Sequence, residues 1–116
     1  MSRRDDERLA DVIASAEAIR SHLERGGLDD GLVFDAVRVR LIEIGEAVKD
    51  IDPALLATEP DIPWGDVAGM RDHLAHRYFD TAHSIVQATV DEDLPPLVAA
   101  TERLLVQLES GADPSD

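Results

Sequence analysis

The sequence predicts an all-α fold, an up-and-down bundle of four to five helices. Apolar residues recur at steps of three and four along most of the chain. The strict apolar–polar alternation of a half-buried strand is missing. Gly26-Gly27, Pro53 and the Pro60–Pro63 stretch punctuate the chain between periodic stretches. With 116 residues there is room for one domain of ordinary size. That domain is assigned to residues 1–110, with residues 111–116 expected as a frayed tail.

The first helix is expected from Asp6 to Arg25, with Leu9, Val12, Ile13, Ala16, Ile19 and Leu23 forming one stripe. Gly26-Gly27 stops it, since glycine is the usual residue just past a helix end. Asp29 or Asp30 can cap the second helix, whose stripe is Phe34, Val37, Leu41, Ile44 and Val48. So regular a seam suits lengthwise packing against another helix, and a second copy of the chain is one such partner. Pro53 ends this region or opens a short turn through Leu55 and Leu56. Residues 58–63 hold two prolines and read as loop. Asp66 is the expected cap of a third long helix running through Asp80, and another helical stretch covers 82–90. Asp93 precedes Leu94-Pro95-Pro96, a helix start, because proline is tolerated in the first turn. Leu97, Leu104, Leu105 and Leu108 continue that last helix.

Composition narrows the function classes. A hydrophobic share of 44% and a charged share of 31% are those of a globular chain, not a disordered one. No apolar run approaches the ~18 residues of a membrane span, and no apolar leader follows Met1, so a cytoplasmic setting is expected. The absence of cysteine excludes disulfides, thiolate metal sites and cysteine nucleophiles. The 25 acidic and 11 basic residues give a net charge of −14, which argues against broad nucleic-acid or anionic-membrane binding. It leaves open a local site whose charge departs from the average.

Residues 69–83 are such a place. They hold three of the four histidines and the only tyrosine, with Arg71 and Arg77 against just Asp72 and Asp80. His73 and His76 stand three apart, as two metal ligands on one helix face do. No HExxH pattern surrounds them, and no metal or other cofactor is expected. The alternative is phosphate chemistry. Histidine exchanges protons near neutral pH, and arginine presents a fixed fork of donors to a phosphate. Together they suit RNA cleavage: a base takes the ribose 2′-OH proton, that oxygen attacks the adjacent phosphorus, and arginine holds the developing charge. The same residue types also suit a non-catalytic nucleotide-binding or partner-docking module, or, more plainly, a structural helical dimer. On one regular helix Arg71 and His76 are about 140° apart, and Tyr78 about 200° from His76. The motif is therefore expected to straddle a bend or to be completed by a second chain.

Arg71-Asp72-His73-Leu74-Ala75-His76-Arg77-Tyr78 fits R-x4-H-x-Y, and its flanks carry further matches. These are Gly45-Glu46-Ala47, Ile62-Pro63-Trp64, Gly69-Met70-Arg71 and Asp93-Leu94-Pro95. In this order they resemble HEPN-domain ribonucleases of the HepT toxin type, from Arg8 to Leu108. The resemblance implies a small helical bundle that dimerises, bringing two motifs into a shared cleft, and that acts as an RNA-cleaving toxin. It implies Arg71 and His76 as catalytic residues, Asp72 and His73 in support, and Glu46 as a candidate for the same cleft. It also implies a partner antitoxin, a minimal nucleotidyltransferase of the MntA type, which attaches AMP to Tyr78 and silences the toxin.

Overall fold

The computed structural model describes residues 4–75 and 79–110, with residue 75 and residues 79–82 described by their backbone alone. His76, Arg77 and Tyr78 therefore lie outside the described residues, as does the tail 111–116. Among the described residues every regular element is helical. Two long antiparallel helices, α1 (Asp5–Arg25) and α2 (Gly31–Lys49), form the base of the bundle. Acidic Asp5, Asp6 and Glu7 in the first turn of α1 complement the helix dipole in place of a side-chain cap. Asp30 caps α2, its carboxylate accepting from the Leu32 amide at 2.9 Å.

The α1 stripe is buried at Leu9, Val12, Ala16 and Ile19, with Ile13 and Leu23 at its margin. The α2 stripe Phe34, Val37, Leu41, Ile44 and Val48 is buried along its whole length. Its partners are elements of the same chain, because α1 packs on α2 from one side and α4 and α5 from another. The seam is thus spent inside the monomer and offers no face to a second copy.

The path after α2 is more broken than the periodicity predicts. Helix α3 (Pro53–Leu56) is a single turn capped by Asp52 and buries Leu55 and Leu56. The loop that follows is pinned by a two-bond pair from Arg103 to Glu59, at 2.7 and 3.0 Å. The hydrogen bonds of Arg103 hold the Glu59 carboxyl below its ordinary range. The Trp64 indole N–H donates to the Glu59 carbonyl at 3.0 Å and fixes the chain as it enters α4 (Trp64–Ala68).

The single third helix expected over Asp66–Asp80 is not what forms. Helix α4 begins at Trp64 after Pro63, with Asp66 inside its first turn rather than at its cap. It ends at Gly69, and α5 (Met70–Ala75) follows as a separate piece. The expected stretch 82–90 is found as α6 (Phe79–Ala88). The last helix starts where expected: α7 (Leu94–Glu109) has Asp93 at its N-cap position and Pro95-Pro96 in its first turn. What periodicity does not predict is that a five-residue π turn, Thr89–Asp93, carries α6 straight into it, the Leu94 amide donating to the Thr89 carbonyl. Helix α7 then returns along α1, burying Leu94, Leu97, Ala100 and Leu104.

One close approach sets where α4 and α5 lie. At Gly45 of α2, an added Cβ would stand 2.7 Å from the Val67 carbonyl oxygen and 3.2 Å from the Met70 Cβ. Only a residue without a side chain lets the end of α4 and the start of α5 sit this close. Gly45→Ala is expected to destabilise the protein by roughly 1–2 kcal/mol in urea denaturation, overpacking outweighing the gain in helix propensity. Gly65→Ala, where nothing stands within 4 Å, is the control and is expected to be neutral or slightly stabilising.

Candidate active site

The site is assembled on α2 and α5. The described part of α5, Met70–Ala75, is held against α2 by packing. Leu74, fully buried, anchors its inner face. Arg38 of α2 donates from Nη1 to the Leu74 carbonyl at 3.1 Å, a second tie between the two helices. The Arg38 Nε is buried with no hydrogen-bond partner among the described residues.

With Leu74 inward, Arg71 points outward. Its side chain is 67% exposed, and its Nη1 donates to Glu46 Oε1 at 3.4 Å. A long, exposed pair of this kind contributes little to stability. Its effect is geometric: one arm of the guanidinium is tethered to α2 while the rest of the fork faces solvent. Glu46 can reach Arg71 because it follows Gly45 directly, where the two elements are closest.

An open cavity of about 540 Å³ lies at this junction, lined by Glu46, Lys49, Ala68, Gly69, Arg71 and Asp72. Two cations and two carboxylates share it, so the local balance is neutral in a chain of net charge −14. Of the residues singled out in the sequence, Arg71 and Asp72 meet here, and Glu46 joins them. His73 is exposed on α5, beside Gly69, but does not line the cavity. His76 and Tyr78 fall outside the described residues. The fourth member of the 69–83 cluster, His83, is half-buried and stacks on Phe34, ring centroids 5.7 Å apart, as part of the interior. Among the described residues no group of three potential ligands is placed to hold a metal ion, and no helix is long and apolar enough to cross a membrane.

Lys49 and Arg38 are the residues that sequence reasoning passed over. Lys49 carried one usable signal, as the only lysine in the chain. Arg38 carried none, since its role depends on a carbonyl 36 residues away.

Comparison with known proteins places the chain. Residues 9–104 match the family model described as "Ribonuclease HepT-like". The "Probable ribonuclease HepT" of Thermococcus cleftensis is 33% identical over 108 residues, covering 90% of this chain and 98% of that protein. A "Putative RNase" of Methanocaldococcus jannaschii is 28% identical over 107 residues, covering 88% and 98%. One from Caldanaerobacter subterraneus is 37% identical over 68 residues, covering 58% of this chain and 61% of that protein. No solved structure matches significantly. With a family match running from α1 into α7 and a relative 33% identical over 90% of its length, this helical bundle belongs to the HepT-like ribonuclease family.

Proposed function

We propose that this protein is a metal-independent endoribonuclease and the toxin of a toxin–antitoxin pair, acting on RNA in the cytoplasm. The observation that carries the reading is Arg71: within a family of ribonucleases, it is held on an open cavity with most of its guanidinium in solvent. His76 follows α5 directly in the chain. In the proposed reaction His76 serves as general base and takes the 2′-OH proton. The 2′-oxygen forms a bond to phosphorus as the bond from phosphorus to the 5′-oxygen breaks. The leaving oxygen takes up a proton, giving a 2′,3′-cyclic phosphate and a free 5′-OH. Arg71 stabilises the charge that builds on the non-bridging oxygens. Asp72 and His73, its neighbours on α5, support it, and Glu46 orients its fork.

Arg71→Ala and His76→Ala are each expected to lower RNA cleavage by ~10²-fold or more and to relieve growth inhibition, with the circular-dichroism spectrum unchanged. Wild-type cleavage is expected to persist in EDTA, and loss there would overturn the metal-free reaction. Wild-type activity in both variants would move the site elsewhere and favour a nucleotide-binding module.

The active form is a homodimer with two motifs in one cleft. The buried α2 seam does not supply its interface, so the contact involves other faces, among them the outer side of α2 with exposed Leu32 and Val39. Light scattering at micromolar concentration is expected to give about twice the chain mass of 12.7 kDa. A folded monomer would remove the shared cleft.

Inhibition follows from the same site. An MntA-type nucleotidyltransferase transfers AMP to the hydroxyl of Tyr78, two residues from His76, adding a phosphodiester and a base that compete with RNA for Arg71. As the only tyrosine, Tyr78 is an unambiguous acceptor. Intact-mass spectrometry after co-expression with the partner is expected to show one or more adenylate units on the wild type and none on Tyr78→Phe. A neutralised but unmodified chain would mean inhibition by occlusion alone.

A further inference from the structure

We propose that Lys49 is a substrate-binding residue of the Arg71 cavity, holding the RNA phosphate next to the one that is cleaved. The inference rests on the ribonuclease reading of that cavity and adds a second phosphate position to it. Lys49 is the chain's only lysine and lies in the last turn of α2. It stands three residues after Glu46, hence on the same helical face, and lines the same cavity as Arg71. Arg4, Arg8, Arg40, Arg71 and Arg103 all pair with carboxylates, whereas Arg20, Arg25, Arg38 and Lys49 form no ion pair among the described residues, and of these four Lys49 alone lines the Arg71 cavity.

The division of labour suits the two side chains. A tethered, planar guanidinium fits the phosphate whose geometry changes during reaction. A compact ammonium on a flexible stem fits a phosphate that only has to be held. The net charge of −14 repels a polyanion from the protein as a whole. A strand can therefore be retained only where cations gather locally, and one arginine already engaged by Glu46 is a weak hold. A cation in the last turn also complements the α2 dipole, a role that would be served equally by a lysine facing away from the cavity.

The test varies the number of phosphates. On an oligoribonucleotide, Lys49→Ala is expected to raise KM roughly tenfold with kcat unchanged, and Lys49→Arg to restore it. On a dinucleoside monophosphate, whose single phosphate is the scissile one, Lys49→Ala is expected to match the wild type. Binding of a 2′-O-methyl strand, which lacks the nucleophile, is followed in parallel by fluorescence anisotropy across salt concentrations. Its log–log salt slope is expected to be shallower in Lys49→Ala by about 0.7, one single-strand phosphate contact.

Equal losses on both substrates, a fall in kcat at constant KM, or an unchanged salt slope would each overturn the assignment. If the wild type cleaves neither substrate, the ribonuclease reading fails, and the anisotropy still decides the Lys49 contact. Absence of strand binding by the wild type overturns it as well.

Discussion

The approach of α2 to the α4–α5 junction at Gly45 is the constraint on which the rest of the arrangement depends. The Val67 carbonyl oxygen stands 2.7 Å from where a Cβ would be, so the two backbones meet with no room for a side chain between them. This closeness has two consequences on either side of the contact. Inward, Ile44 and Val48 join Val67 and Leu74 in one core, which holds α5 in place. Outward, Glu46 comes within hydrogen-bonding reach of Arg71. One small residue thus couples core packing to the placement of the exposed arginine.

Electrostatics set a second constraint. A strongly acidic protein that handles RNA has to present its cations without surrounding them with carboxylates. Here the other cations described in ion pairs are engaged along their own helices or across the surface, as Arg40 is with Glu43 and Arg103 with Glu59. The Arg71 cavity matches two cations with two carboxylates, a neutral patch on an anionic surface. The Glu46 carboxylate both orients Arg71 and competes with any phosphate that approaches it. The contact is long and solvent-exposed, so displacing it costs little, while it still biases the direction of the guanidinium before substrate arrives.

Where local chemistry decides the structure, the sequence was sufficient. The α1 and α2 stripes, the Gly26-Gly27 stop and the Asp30 cap follow from side-chain spacing and hydrogen-bonding capacity within a few residues. Periodicity failed in two places, each for a physical reason. The α2 seam shows that a face is buried but not by what, and its cover turned out to be α1, α4 and α5. The third helix was drawn too long because Asp66 looks like a cap, whereas Pro63 and the Trp64 indole bond fix the start earlier and Gly69 divides the run. Pro95-Pro96 marks the start of α7 as its chemistry suggests, with a π turn joining α6 to it without a break. At the candidate site, the motif singles out Arg71 and Asp72 and the Gly45-Glu46-Ala47 match singles out Glu46, and the fold brings these three to one cavity. Arg38 reaches across helices to the Leu74 carbonyl and Lys49 reaches the cavity from α2, at separations that no local pattern encodes.

Taken together, the contacts make α2 the element that aligns the site. Arg38, Gly45, Glu46 and Lys49 lie within twelve consecutive positions of it, a rise of about 16 Å. Gly45 receives the start of α5 through Met70, and Arg38 holds it again at the Leu74 carbonyl. Held at two points by one helix, the described part of α5 has little freedom to rotate, and rotation is the motion that would carry Arg71 off the cavity.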